Sequence, residues 1–239
     1  MPLWTQRAEV SWRQNIAFYE HRYAVLRELE DKGFLRRFQE DDGRISARLG
    51  AAHQILSYRS DGLSIAALKP DSNLEMLRTA AEVVCDKLRP KPTGYPEFIL
   101  QWLVPLDASY DAARASAAVA LVGDTPTKLD DFAVVADGTV DDPLDEYHLE
   151  FGIVEAAEAI NRLARRVGRT AGARPDTPRG LWRADDLPSV AFFCDIELDA
   201  LSIEGDDIVA SLFSLLESAR DIGDQLVSSF LKRLDLETT

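Results

Sequence analysis

Residues 192–199 read Phe-Phe-Cys-Asp-Ile-Glu-Leu-Asp, and residues 146–151 read Glu-Tyr-His-Leu-Glu-Phe. Successive side chains of a strand point to opposite faces. The first stretch therefore sends Asp195, Glu197 and Asp199 one way and Phe192, Cys194, Ile196 and Leu198 the other. The second sends Glu146, His148 and Glu150 one way and Tyr147, Leu149 and Phe151 the other. A strand of this kind needs a core on one side and a polar surface on the other, which is the habit of an antiparallel sheet packed on one face. If the two strands are neighbours, six polar groups share one sheet face.

The rest of the chain supplies the covering helices, and the periodicity predicts an α+β fold. Apolar residues recur at helical spacing from Ile16 to Leu29, from Leu74 to Leu88, over 110–121, over 154–167 and over 206–234. Ser72-Asn73-Leu74-Glu75 has the form of a capping box, and Gly33 and Gly168 are placed to end helices. Strands are expected at 7–12, 53–59, 63–69, 98–104, 132–136, 146–151 and 190–198, with turns at Ser60-Asp61-Gly62 and near Asp137-Gly138, and a further strand at 44–49. The order suggests two halves of ferredoxin-like type, each β-α-β-β-α-β, spanning 1–96 and 97–239 or merged into one domain. The long final amphipathic helix either crosses the sheet or offers a dimerisation face.

The 239 residues carry a formal charge of −14, which argues against general binding to nucleic acid or anionic membranes. There is neither a charged-then-apolar leader nor the roughly 18 apolar residues of a membrane span, so a cytoplasmic location is expected. Cys85 and Cys194 read as separate buried thiols, and no cofactor motif is present. The segment Gly123-Asp124-Thr125-Pro126-Thr127-Lys128 lacks the glycines and backbone N–H row of a phosphate loop, and no Gly-x-Ser-x-Gly occurs.

Charge is segregated. Arg162, Arg165, Arg166, Arg169, Arg174, Arg179 and Arg183 fall where Asp176 is the sole acid, with Trp182 among them. They would complement a helix C-terminus, grip phosphate or nucleic acid with Trp182 stacking, or pair with the acidic strand faces within one molecule or across a homo-oligomer. On the acidic face, Glu146, His148, Glu150, Asp195, Glu197 and Asp199 form the candidate binding set. Glu146, His148 and Glu150 are weak candidates for a divalent metal, limited by the lack of a second histidine at ligand spacing. The favoured reading is a non-enzymatic protein-binding or self-associating module, such as an immunity, antitoxin or phage-related protein. A metal-dependent enzyme and a phosphate- or nucleic-acid-binding adaptor are the alternatives.

The block Phe192 to Asp199, followed by a loop and an amphipathic helix reaching Phe230, resembles the end of an uncharacterised, sporadically distributed bacterial family of comparable length. That family closes with an acid-apolar-acid strand and a helix. The resemblance implies a two-layer fold and a bacterial or phage-like origin, and no activity. The final helix here lacks the histidine expected in that family.

Overall fold

In this computed structural model the chain is described except at residues 1, 51–52, 71, 73, 91–95, 124–132, 141–143, 171–180, 204–206, 237 and 239. The strands are β1 (Leu3–Ser11), β2 (Leu35–Asp41), β3 (Arg44–Leu49), β4 (Gln54–Arg59), β5 (Gly62–Ala67), β6 (Pro96–Pro105), β7 (Ala133–Thr139), β8 (Leu144–Glu155) and β9 (Val190–Ala200). The helices are α1 (Ala17–Asp31), α2 (Leu74–Leu88), α3 (Tyr110–Val122), α4 (Ala156–Thr170) and α5 (Ile208–Arg233). The strands form a single nine-stranded sheet in the order β2-β3-β4-β5-β1-β6-β9-β8-β7. Every neighbouring pair is antiparallel.

Helices α1, α2, α3 and α5 share one face. Phe18, Val25 and Leu29 of α1, Leu77, Ala81, Val84 and Leu88 of α2, Ala113 and Ala117 of α3, and Leu212, Leu216 and Val227 of α5 merge with strand residues into one core. The spacings of three, four, seven and eleven within these helices place the residues on one stripe. Strand residues of opposite parity belong to a smaller cluster on the second face, where Ala159 and Leu163 of α4 and Trp182 pack against Ile55, Ala66, Leu103 and Phe193.

Helix α5 is seated by a close approach at the centre of the sheet. Asp207 caps its start by accepting a hydrogen bond from the Ala210 N–H at 2.9 Å. Trp102 of β6 is fully buried, and its Nε1 donates to Asp224 Oδ1 at 2.9 Å. The ring lies directly under Gly223, where an added Cβ would stand 2.1 Å from Trp102 Cη2. The glycine is there for space.

The two halves differ in how their strand order compares with a ferredoxin-like unit. In the first half β2, β3, β4 and β5 meander back to β1, and in the second β7, β8 and β9 meander back to β6. The third strand expected in the first half, β5, does lie beside the first, β1, with β6 on the other side of β1, whereas in the second half β9 and not β8 lies beside β6. The two halves are joined by β1, which pairs with β6 from Leu3↔Trp102 to Val10↔Pro96, so the sheet and its main core run through the 96/97 boundary.

Other local expectations also shift. Asp137 and Gly138 do not turn the chain but continue β7, paired with His148 and Tyr147. Helix α4 runs through Gly168 to Thr170. Asn73 of the expected capping box lies outside the described residues. Strand β2 has no counterpart in the hydropathy pattern, since its residues are exposed almost throughout.

Gly223→Ala measures the α5 contact. Alanine favours a helix interior over glycine by about 1 kcal/mol, whereas forcing a methyl group into a filled core costs about 1–3 kcal/mol. The buried Trp102 ring cannot retreat, so denaturant unfolding should show net destabilisation; a more stable variant would contradict this packing.

Candidate functional site

The two acidic stripes read from the sequence are neighbours. Strands β8 and β9 pair with His148 opposite Glu197 and Glu150 opposite Asp195. At the next position a bulge leaves Asp145 and Glu146 facing Asp199, between the pairs Leu144↔Ala200 and Tyr147↔Leu198. All six candidate acidic-face residues therefore lie on two adjacent strands.

The same face can be followed across the sheet. One cross-strand row begins with Arg37 and Arg48, passes Ile55, Ala66, Arg7 and Ile99, and ends with Glu197, His148 and Asp137. The row below it places Glu9 opposite Glu97 and Glu97 opposite Asp199. The face is thus graded, basic toward β2 and acidic toward β7.

At its inner end the acidic region is built into the fold. Asp195 is only 6% exposed and accepts from Gln101 Nε2 at 3.1 Å, while Gln101 Oε1 accepts from Thr5 Oγ1 at 2.6 Å. Glu150 is ion-paired to Arg162 of α4, whose guanidinium also reaches Glu158 at 2.8 Å and lies 5.6 Å from the Phe193 ring centre. Arg162 fastens α4 to the sheet, so this part of the expected arginine-to-acid pairing occurs within one molecule. A cleft of about 240 Å³ opens beside it, lined by His148, Glu150, Arg162, Arg165, Asp195 and Glu197.

Outward along β9 the side chains become more exposed, and Asp199 is at the surface. His148 Nδ1 lies 2.6 Å from Asp137 Oδ1, with both side chains largely in solvent. A second cleft of about 390 Å³ is lined by Asp137, Thr139, Glu146, His148, Glu197 and Asp199.

The carboxylates of this region repel one another. Burial raises the Glu97 pKa; Arg7 opposes the shift, and Glu197, Glu9 and Asp199 add to it. Partial desolvation also raises the pKa of Asp199, and its neighbours Glu197, Glu146 and Asp145 push in the same direction. Glu9 differs, because it is ion-paired to Arg7 and lies 3.6 Å from Arg59.

The metal candidates are drawn to other partners. His148 is engaged by Asp137 and Glu150 by Arg162, leaving Glu146 across the bulge from Asp199. Among the described residues no three His, Cys, Asp or Glu side chains are grouped to hold a metal ion. The arginine segment is only partly described. Arg162 and Arg165 border the cleft and Arg183 is exposed, but the Arg166 and Arg169 side chains and all of Arg174 and Arg179 lie outside the described residues.

Trp182 is not available for stacking. It is 4% exposed, and its Nε1 donates to the Leu68 carbonyl at 3.2 Å. Cys85 and Cys194 are free thiols, and burial pushes Cys85 up to about 12 and Cys194 further, so neither is a ready nucleophile. Among the described residues no helix is long and apolar enough to cross a membrane.

Thr5, Gln101, Glu97 and Asp137 join this face without standing out in the sequence pattern. Gln101 and Glu97 sit within or beside an apolar run whose length conceals its alternation, and Asp137-Gly138 has the composition of a turn. No family model matches the chain, and no curated protein matches it.

The repulsion is measurable through pH. A carboxylate whose folded pKa is raised contributes stability that is present below its unfolded pKa and lost as pH rises through its folded pKa. Glu97→Gln and Asp199→Asn should therefore each raise the melting temperature at pH 7, with the gain vanishing below the ordinary carboxylate range. Lower melting temperatures at pH 7 would mean that these charges are compensated in the folded protein.

Proposed function

We propose that the protein is a non-enzymatic protein-binding module whose acidic face, on β6, β9 and β8, docks a basic segment of a partner. The observation that carries this reading is the direct opposition of Glu97 and Asp199 on adjacent strands, where desolvation and then the charges of Glu197 and Glu146 raise the Asp199 pKa. Like charges directly opposite across a sheet are destabilising. Lysine or arginine side chains from a partner would relieve that repulsion, which turns a cost of the free protein into affinity and gives the contact its salt dependence.

The inner end of the face gives the partner a firm platform. Asp195, Gln101 and Thr5 are held by one another, and Arg162 locks α4 beside them. The basic side of the same face, from Arg37 and Arg48, would repel the far end of a basic segment and fix its direction. An immunity- or antitoxin-like role, in which an acidic protein masks a basic one, suits this arrangement.

Titration calorimetry with a lysine- and arginine-rich peptide tests the proposal. Wild type should bind at low salt and weaken as salt rises, and Glu197→Lys/Asp199→Lys should reduce affinity at least about tenfold. Glu217→Lys/Asp221→Lys on the exposed side of α5 makes the same charge change elsewhere and should leave most of the affinity. Equal losses in both double variants would reduce the effect to net charge and refute a defined acidic face.

A further inference from the structure

The β2 edge carries a second surface, independent of the acidic face. Strand β2 ends the sheet, and the two-residue turn Asp42-Gly43 joins it to β3 with positive φ at both positions, 45° and 72°. Such a turn makes Asp41 and Arg44 a hydrogen-bonded pair. By the alternation of an antiparallel ladder, Gln39 and Arg37 also direct their backbone groups to β3, while Phe38 and Glu40 direct theirs away from the sheet. A bulge at Arg36, whose Nε donates to the Gly50 carbonyl at 2.8 Å, closes the beginning of the strand. The residues open to pairing are therefore 37–41.

This segment reads Arg-Phe-Gln-Glu-Asp, basic at its start and acidic at its end. Such a strand is complementary to an antiparallel copy of itself. Charged edges commonly prevent association, but here the arrangement of charge selects one partner. Arg37 lies directly opposite Arg48 on the same face, and Arg48 has its pKa lowered by burial and by Arg37. On the helix side Phe38 is 49% exposed and Tyr23 of α1 is 51% exposed, which leaves apolar surface beside the edge.

We propose that a second copy of this chain pairs along β2 about a two-fold axis through Gln39, making one sheet continuous through both subunits. The axis puts Arg37 of each copy opposite Asp41 of the other, on the face where Arg37 now meets Arg48. It matches the outward backbone groups of Phe38 with those of Glu40 in the other copy, and brings the two Phe38 rings to diagonal positions. Glu40 keeps its internal partners, since Tyr23 Oη donates to it at 2.6 Å and Arg22 Nε lies 3.4 Å away. The interface is isologous and closed, so it yields a dimer and not a fibre.

Sedimentation velocity of the full chain over a concentration series tests this. Wild type should show a monomer–dimer equilibrium, and Arg37→Glu and Asp41→Arg should each weaken it at least about tenfold, because two-fold symmetry affects two contacts. The double variant R37E/D41R should recover dimerisation to within about threefold of wild type. If D41R unfolds through loss of its Arg44 neighbour, Phe38→Pro removes an outward N–H without touching the β3 ladder and should also yield a monomer. A wild-type monomer up to about 200 µM, or a dimer that R37E leaves unchanged, would overturn the proposal. None of these variants alters Glu97, Glu197 or Asp199, so the outcome is separable from peptide binding at the acidic face.

Discussion

The molecule is organised by an asymmetry between the two faces of one sheet. Four of the five helices in the described residues pack on one side, and their stripes of leucine, valine and alanine complete a core with every second strand residue. The alternate residues must then meet α4, solvent or another molecule. Where α4 and Trp182 lie they are apolar, and elsewhere they are polar. Charge on that second face is graded along the strand order, although β1 carries both Arg7 and Glu9 there and β2 both Arg37 and Asp41. Most of its arginines come from β1 to β4 and most of its carboxylates from β6, β8 and β9.

The polar face is not uniform in energy. Glu9 is neutralised by Arg7 and approached by Arg59, and Glu150 by Arg162, so these charges are part of the fold. Glu97 and Asp199 face each other and further acids, with raised pKa values. Exposed ion pairs contribute little to stability, and a fold gains nothing from unrelieved repulsion. This contrast between paired carboxylates and carboxylates with raised pKa values, more than the overall charge of −14, supports the proposed docking of a basic partner.

Much of this was legible from alternation alone. The acid-apolar pattern of residues 146–151 and 192–199 assigns the side chains of both strands to the right face, because a period of two leaves no other arrangement, although it does not show that Asp195 is buried there. Pattern could not say which strands meet. The pairing of β8 with β9, and of β1 with β6 across the middle of the chain, is a long-range choice made by the whole core. It also failed where a strand has no buried face: β2 escaped notice although Asp42-Gly43 is a hairpin dipeptide. Gln101 was hidden because its neighbours in β6 are apolar on both faces, one against α5 and the other toward α4. Trp182 illustrates the converse error, since an aromatic residue among arginines is here a core residue with a satisfied indole.

Site-resolved NMR titration of the Glu97 and Asp199 carboxyl groups, with and without a basic peptide, tests the central claim most directly. In the free protein both should titrate above the ordinary carboxylate range, and the peptide should move both downward as its cations relieve the repulsion. Ordinary pKa values in the free protein, or raised values that the bound peptide leaves in place, would contradict a docking face built on uncompensated charge.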